Sequence, residues 1–238
     1  MELKKRILAT IPAYNEEGSV GKVIEEVKTH LPQAAVLVIN DGSTDHTSEK
    51  AKACGAIVLD LPFNLGIGGA MQAGYQYAYE HGYDIAIQVD ADGQHDPEEI
   101  PKLLRALEVE KVDVAIGSRF IGDSGYKAST MRRIGISILS QVLSMIVGQR
   151  ITDPTSGFRA SNRKAIQLFA SDYPQDYPEP EVVILLHQCH LRMLEVPVGM
   201  GVRYSGESSI TKLRSIYYMA KVLLAIFVDC FKKPPLLE

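Results

Sequence analysis

The sequence predicts an α/β protein in which a mainly parallel central sheet is flanked by helices. Three observations support this fold class. Short apolar segments alternate along the chain with segments of helical periodicity. The apolar segments are continuously hydrophobic, as expected of strands that are covered on both faces. With 238 residues, 46% hydrophobic and 23% charged, the chain can bury a full core. We therefore expect one domain over residues 1–238.

The predicted elements follow one another regularly through the first half of the chain. Strands are predicted at 7–11, 35–39, 57–59, 85–89 and 112–116, and helices at 19–30, 45–54 and 66–80. Asp96 and Pro97 predict the start of a further helix, because Asp is a good N-cap and Pro fits the first helical position. From about residue 121 the pattern is mainly helical, with a strand at 193–196, proline-rich loops near 173–180 and amphipathic segments at 128–148 and 212–231.

Composition argues against several classes of protein. The 25 basic and 29 acidic residues give a net charge of −4, so we expect no nucleic acid partner, which would require a clustered positive field. Cys54, Cys189 and Cys230 are odd in number and lack a Cys-x-x-Cys spacing, so neither a disulfide framework nor a zinc site is predicted. Pro12 interrupts the first apolar run too early for a signal peptide. A cytoplasmic location is the expectation.

Polar segments follow the first two predicted strands, Ile-Pro-Ala-Tyr-Asn-Glu-Glu at 11–17 and Asn-Asp-Gly-Ser-Thr-Asp at 40–45. Ligands of open α/β sheets bind beyond the carboxyl ends of the strands. Here a nucleobase could stack on Tyr14 and hydrogen-bond to Asp41. The alternative is purely structural, because Asp41, Gly42 and Ser43 also suit a turn followed by a helix cap.

The fourth predicted strand ends in Asp-Ala-Asp-Gly-Gln-His-Asp at 90–96. If this segment is extended, Asp90, Asp92 and Gln94 face the same side and can present oxygens to one point. Three oxygen ligands suit Mg²⁺ or Mn²⁺, which usually keep some waters and bind substrate phosphates as well. The alternative is an acidic turn before a capped helix. His95 could support the ligands from behind, although a histidine near a helix start is usually solvated.

A glycine-rich segment, Asn-Leu-Gly-Ile-Gly-Gly-Ala at 64–70, follows the third strand and opens a helix. Gly66 and Gly68 begin a dinucleotide-binding fingerprint. The third glycine position is Met71, and a bulky side chain there opposes close packing of helix on strand. The fingerprint is therefore incomplete, although the glycines still allow a backbone to approach a phosphate or a sugar.

Together these segments resemble the family 2 glycosyltransferases with a GT-A fold, and more narrowly the dolichyl- or polyprenyl-phosphate sugar synthases. The resemblance continues through Gly-Ser-Arg-Phe at 117–120, Thr-Asp-Pro-Thr-Ser-Gly-Phe-Arg at 152–159, Glu-Val-Pro at 195–197 and the serines that follow Arg203. It covers nearly the whole chain in the family's order, and the joint occurrence of the motifs is specific although each motif alone is weak.

The resemblance implies an inverting, metal-dependent transferase that uses a UDP- or GDP-linked sugar. It implies a nucleotide- and metal-binding half over about 1–120 and an acceptor-binding half over about 121–238. The residues implied to bind the nucleotide are Pro12, Tyr14, Glu16, Asp41, Gly69 and Asp90, and those implied to hold Mg²⁺ or Mn²⁺ are Asp90, Asp92 and Gln94. The residues implied to contact donor and acceptor phosphates are Arg119, Arg133, Arg203, Ser208 and Ser209. The expected catalytic residues are Asp92, Arg119, Asp153 and Arg203.

The expected acceptor is a lipid phosphate, although the chain lacks the C-terminal spans of the integral-membrane members. Between residues 124 and 152 there are four basic residues and no acidic one, beside an apolar stripe at helical spacing, which favours peripheral contact with an anionic membrane. The final helix could instead pack on the sheet or on a second subunit.

Other functions remain open from the sequence. A transferase acting on a sugar hydroxyl needs a carboxylate base, for which Asp153, Glu179 and Glu181 are candidates. A sugar-phosphate nucleotidyltransferase normally has a basic, glycine-rich loop after the first strand, where this chain has Tyr14 to Glu17. A non-catalytic nucleotide-sugar sensor would bind the donor and leave it intact.

Overall fold

The computed structural model describes residues 5–122, 130–201, 212–233 and 235. It contains one seven-stranded sheet in the order β3-β2-β1-β4-β6-β5-β7. The strands are β1 (Ile7–Ala13), β2 (Ala35–Asn40), β3 (Ile57–Asp60), β4 (Ile85–Gln88), β5 (Val114–Ser118), β6 (Arg159–Asn162) and β7 (Met193–Pro197). Only β6 runs antiparallel to its neighbours, β4 and β5. The predicted fold class is confirmed.

Helices cover both faces of the sheet. They are α1 (Val20–His30), α2 (Thr47–Ala53), α3 (Gly66–Glu80), α4 (Ile100–Val109), α5 (Thr130–Val147), α6 (Arg163–Ser171), α7 (Pro178–Gln188) and α8 (Lys212–Asp229), with a 3-10 turn at Pro97–Glu99 before α4. One core lies between the sheet and α1, α2 and α4, and the other lies between the sheet and α3, α5, α6, α7 and α8. Burial on both faces explains why the predicted strands lack polar alternation.

Several predicted boundaries differ from the structure by a few residues, and one strand was not predicted. Strand β1 continues through Pro12 to Ala13, because β4 has already ended and only β2 still pairs with β1 there. The loop predicted near 173–180 ends earlier, since Pro178 begins α7. Strand β6 was not predicted, because its sequence, Arg-Ala-Ser-Asn, carries polar residues; Arg159 and Ser161 are nevertheless buried.

Helix α5 has apolar residues on two faces. Ile136, Leu139 and Leu143 pack in the core, whereas Met131, Ile134, Ile138 and Met145 are exposed. Of the helices in the described ranges, α5 is the one long and apolar enough to cross a membrane by length and composition, a test that core helices of soluble proteins can also pass. Its neighbour α8 buries Val222 and Ile226 and exposes Leu224, Phe227, Val228 and Phe231.

Candidate functional site

The carboxyl ends of the parallel strands form one edge of the sheet, and the predicted motifs lie along it. Ala13 at the end of β1 pairs with Asn40 at the end of β2, and the segment after Gln88 of β4 follows on the other side. Because β6 is antiparallel, its first residue, Arg159, lies at this same edge, opposite Gln88. The topology therefore gathers segments that are up to about 150 residues apart in sequence.

The loop after β1 is held against the start of α2 by hydrogen bonds. The backbone N–H of Glu16 donates to the Thr47 hydroxyl at 2.8 Å, and its side chain accepts from the Ser19 hydroxyl at 2.6 Å. Pro12 is buried, whereas the Tyr14 ring is 49% exposed at the strand end. Tyr14 is thus the member of this loop that offers an accessible aromatic face, and the stacking role predicted for it stays a prediction.

Asp41 is buried and caps the start of α3. Its two carboxylate oxygens accept hydrogen bonds from the backbone N–H groups of Leu65 at 2.7 Å and Gly66 at 3.0 Å. These contacts satisfy amides at a helix N-terminus, where a negative charge is favourable. Asp41 therefore has a structural role that the sequence did not suggest, because it caps α3, and its predicted contact with a nucleoside stays a prediction.

The glycine-rich segment packs tightly against protein. A β-carbon added at Gly68 would lie 2.5 Å from the Gln175 α-carbon, and one at Gly69 would lie 3.3 Å from the Gln175 side-chain oxygen. Met71, at the third fingerprint position, is fully buried in the core. The close approach of helix to sheet occurs instead at Gly74, where a β-carbon would lie 3.1 Å from Ile39. The segment thus departs from a dinucleotide-binding fingerprint in its packing as well as in its sequence.

The acidic segment after β4 is not extended, so the alternation argument for its side chains is wrong. Residues 91–92 form a turn, and Gly93 follows with a φ of +81°. In this turn the backbone N–H of Gln94 donates to Asp92 Oδ1 at 2.9 Å, and the Gln88 side chain donates to Asp90 Oδ1 at 3.1 Å. The joint metal-binding role predicted for Asp90, Asp92 and Gln94 stays a prediction. Asp96 caps the following turn through the Glu98 N–H, as predicted.

His95 lies inside the site and not in solvent, so of the two possibilities considered for it the structure agrees with a group that supports the acidic turn. Its ring is 5% exposed and stacks on Phe158 at a centroid distance of 4.9 Å. Nδ1 accepts a hydrogen bond from the Asp90 N–H at 3.0 Å, which assigns the proton of the neutral ring to Nε2. Nε2 lies 3.5 Å from Asp90 Oδ2. His95 therefore orients the backbone and the carboxylate of Asp90.

The donor set of this turn suits a hard divalent cation. Asp90, Asp92 and Gln94 supply carboxylate and amide oxygens, the ligands that Mg²⁺ and Mn²⁺ prefer. Over the ranges that the structure describes, no cluster of three or more His, Cys, Asp or Glu residues could hold a metal. Two carboxylates and an amide fit an ion that completes its shell with water and substrate phosphate, and they do not form an all-protein cage.

Arg119 and Asp153 form a buried ion pair at the end of β5. Asp153 accepts from Nε and Nη2 of Arg119 at 2.6 Å each and from the Arg119 backbone N–H at 3.0 Å. Thr155 accepts a further bond from Nη2 at 2.7 Å. The structure thus brings two predicted catalytic residues together, and their catalytic roles stay predictions. Because both oxygens of the buried Asp153 carboxylate accept bonds from Arg119, Asp153 orients the guanidinium.

The other candidate bases lie in different places. Glu181 is buried where α7 meets α8, close to Asp229, so it does not belong to the strand edge. Glu179, in the first turn of α7, is within electrostatic range of Arg159, Asp90 and Arg119, and burial raises its pKa. Of the three candidates, Asp153 lies at the strand edge in its pair with Arg119, Glu179 lies within electrostatic range of the acidic turn, and Glu181 lies away from both.

Several residues at the edge were not singled out from the sequence. Arg159 is 1% exposed, and its side chain donates to the backbone carbonyls of Ser156 at 2.9 Å and Glu179 at 2.6 Å. Glu195 accepts bonds from Thr152 and Asp153. Both occur in segments that carried the family resemblance, which was the available signal. Their burial and partners could not be read from the sequence, because the partners are distant along the chain.

The remaining predicted phosphate contacts are less well defined. Arg133 lies in the first turns of α5 and is exposed. Arg203, Ser208 and Ser209 fall outside the described residues. Their roles stay predictions.

Comparison of the amino-acid sequence with known proteins finds a matching family and several relatives of this chain. The model of the family described as Glycosyl transferase family 2 matches residues 9–169. An uncharacterized protein of Methanocaldococcus jannaschii is 35% identical over 198 residues, covering 82% of this chain and 81% of its own. An undecaprenyl-phosphate mannosyltransferase of Micrococcus luteus is 33% identical over 215 residues, covering 87% of this chain and 88% of its own.

Among solved structures, glucosyl-3-phosphoglycerate synthase of Mycobacterium tuberculosis, in complex with Mn²⁺, UDP and glucosyl-3-phosphoglycerate, superposes with a TM-score of 0.74. The match covers 97% of this chain and 81% of that one at 21% identity. At this identity the likeness shows the shared fold alone.

Proposed function

Since this chain belongs to glycosyl transferase family 2 and is a glycosyltransferase, we propose that it moves a sugar from a nucleoside diphosphate to a polyprenyl or dolichyl phosphate, with inversion at the anomeric carbon. The observation that carries the proposal is the meeting of an acidic turn and a buried cation at one sheet edge. Gln88 of β4, two residues before Asp90, and Ile116 of β5, three residues before Arg119, both pair with Arg159 of β6, so the acidic turn and Arg119 follow strands that end beside the same residue.

In this proposal the acidic turn and Arg119 have different roles towards the donor. Asp90, Asp92 and Gln94 would hold Mg²⁺ or Mn²⁺, which when bound neutralises charge on the donor diphosphate. Tyr14 would stack on the nucleobase, whether uracil or guanine. Arg119, fixed by Asp153, would stabilise the negative charge that develops as the diphosphate leaves. An acceptor oxygen would attack from the opposite face of the sugar.

A phosphate acceptor is favoured by the surroundings of two of the three candidate bases. A phosphate oxygen is ionised at neutral pH and needs no proton acceptor, whereas a hydroxyl does. Asp153 is engaged by Arg119, and Glu181 lies at the interface between α7 and α8. Two of the three candidate bases are therefore unsuited to that role.

The exposed apolar residues of α5 and α8 support a peripheral membrane contact on the cytoplasmic side. The two helices pack together closely, since a β-carbon at Gly135 would lie 2.6 Å from the end of the Met219 side chain. Their exposed apolar side chains are accompanied by basic residues, including Arg132, Arg133 and Lys233. Apolar groups with adjacent positive charge are suited to an anionic lipid surface. A homo-oligomer that buries the same residues is the competing outcome.

Transfer to lipid is tested with radiolabelled UDP- and GDP-sugars, Mn²⁺ and polyprenyl phosphate. We expect label in the organic phase with the wild type and with Glu98→Gln, an exposed carboxylate that follows the acidic turn, and no label with Asp92→Asn. Label that enters only water-soluble sugar acceptors would contradict the lipid acceptor, and equal transfer by Asp92→Asn would contradict the role of the acidic turn.

Membrane contact is tested separately by sedimentation with vesicles that contain anionic lipid. Phe227→Glu should reduce binding, whereas Val109→Glu, an equally exposed apolar position on α4, should not. Equal binding by both variants would refute the proposed surface, and a smaller assembly of Phe227→Glu in solution would instead indicate a subunit interface.

A hydroxyl acceptor is the second candidate, and Glu179 is the observation that favours it. Its pKa is raised, first by burial, and a raised pKa makes a carboxylate a better proton acceptor. Glu179→Gln should abolish transfer to a hydroxyl and leave transfer to a lipid phosphate largely intact.

A further inference from the structure

We propose that Glu195 is a positioning residue for Arg119, acting through the loop at 152–155 without touching the guanidinium. The inference rests on the proposed function in one respect, namely that Arg119 acts on a substrate phosphate. Glu195 lies on β7, next to β5, whose last residue precedes Arg119.

The carboxylate of Glu195 is the anchor of that loop. Oε2 accepts from the Thr152 backbone N–H at 2.7 Å and from the Thr152 hydroxyl at 2.8 Å, while Oε1 accepts from the Asp153 N–H at 2.7 Å. The Thr152 hydroxyl also lies 2.6 Å from the Ser118 hydroxyl, which ties the loop to the end of β5. All three contacts of Glu195 are made with residues more than 40 positions away in sequence.

The loop at 152–155 in turn fixes the position of the Arg119 side chain. The backbone N–H of Asp153 is fixed by Glu195, and the Asp153 carboxylate in turn receives Nε and Nη2 of Arg119 at 2.6 Å each. Thr155, two residues further, accepts from the same Nη2 at 2.7 Å. Because Asp153 and Thr155 of this loop both bind the guanidinium, a shift of the loop moves the plane of the Arg119 guanidinium.

A negatively charged carboxylate is required at position 195, because its two backbone partners, the N–H groups of Thr152 and Asp153, are both hydrogen-bond donors of fixed orientation. A glutamine would place an NH₂ group against one of these N–H groups and leave it without an acceptor in a partly buried site. Burial raises the pKa of Glu195, while the hydrogen bonds from Asp153 and Thr152 lower it in part. The bonding pattern described here is that of the ionised form.

The competing explanation is that Glu195 merely fastens strand β7 to its neighbours. The two explanations differ in what happens when Arg119 is also changed. If Glu195 acts by positioning Arg119, the losses of activity caused by changing Glu195 and by changing Arg119 should not multiply in the double variant. A purely structural role should lower activity by the same factor whatever side chain occupies position 119.

The test compares Glu195→Gln with Glu108→Gln, an exposed carboxylate on α4 whose partner is Lys5. We expect Glu195→Gln to lower kcat/KM for transfer by roughly 10- to 100-fold, as for a displaced catalytic group, and Glu108→Gln to leave it unchanged. In an Arg119→Lys background, Glu195→Gln should lower kcat/KM by less than about twofold. An equal factor in both backgrounds would overturn the inference.

A second measurement needs no activity and so separates this inference from the proposed function. In ¹⁵N NMR spectra the Nε–H signal of Arg119, identified by its loss in Arg119→Lys, should shift or exchange faster in Glu195→Gln and stay unchanged in Glu108→Gln. Thr152→Val, which removes one bond to Glu195 and retains the charge, should move the same signal by less. An unmoved Arg119 signal in a folded Glu195→Gln or Thr152→Val variant would refute the positioning role even if the enzyme transfers sugar. If the wild type transfers no sugar while the Arg119 signal still moves in Glu195→Gln, the proposed function alone is wrong.

Discussion

Removing the Asp153 carboxylate should leave the Arg119 guanidinium buried without its counter-charge. In the folded protein Asp153 takes three bonds from Arg119, two from the side chain and one from the backbone, and Arg119 itself is only 7% exposed. In Asp153→Ala the guanidinium keeps Thr155 as a neutral acceptor. A hydroxyl cannot compensate a buried charge, so the folded state should lose much of its stability.

The size of the loss follows from the burial of the pair. Breaking a buried ion pair by removing one partner typically costs about 3–5 kcal/mol. For a chain of this length, 1 kcal/mol corresponds to roughly 2–4 °C in Tm, so Asp153→Ala should melt on the order of 10 °C below the wild type. Replacing Arg119 by Met in the same protein removes the uncompensated charge. The double variant should therefore be more stable than Asp153→Ala alone.

The assay is urea and thermal unfolding of the wild type, the two single variants and the double variant, followed by the transfer reaction. The double variant still lacks an acceptor for the Arg119 backbone N–H, a deficit of about 1–3 kcal/mol, and should recover stability without recovering transfer. Should Asp153→Ala lose less than about 1 kcal/mol, or should the double variant be the less stable of the two, the reasoning about a buried pair is wrong.

Three further predictions concern other parts of the molecule. Asp92→Ala should fold normally but lose the extra thermal stabilisation that Mn²⁺ gives in the presence of a nucleoside diphosphate, and an undiminished shift would exclude it as a ligand. Burial, and then Asp229, raise the pKa of Glu181 from 4.5 to about 7. As the pH rises, the unfolded state therefore loses this proton before the folded state does, and the free energy of unfolding should fall between about pH 4.5 and pH 7. At pH 8 Glu181→Gln should be more stable than the wild type by up to about 3 kcal/mol. Equal stabilities of the two proteins at pH 8 would argue against the raised pKa. Gly68→Ala should destabilise the folded state by about 2 kcal/mol or more, because the added methyl group would meet the backbone of Gln175. Gly66→Ala should cost only about 1 kcal/mol, because its β-carbon would lie in open space and only the φ of +81° opposes it. Urea unfolding that reversed this order would contradict the packing argument.

The sequence by itself determined the fold class, most of the elements and the composition of the site. Continuous apolar runs predicted five strands of the first half, and helix α3 begins and ends at the predicted residues, Gly66 and Glu80. These features are local: a strand buried on both faces must be apolar throughout, and a helix must repeat its apolar positions every three to four residues. The family, and with it the transferase activity, also followed from short motifs in a fixed order.

The tertiary structure decided which polar residues meet and how each is used. Arg119 and Asp153 are 34 residues apart, and they pair because β6 enters the sheet antiparallel between β4 and β5. The same topology buries Arg159 at the site edge. Glu179 and Glu181 have different neighbours because residues two apart on helix α7 point in different directions. A side chain's charge state and role depend on the groups packed around it, and strand order, which no local pattern encodes, selects those groups.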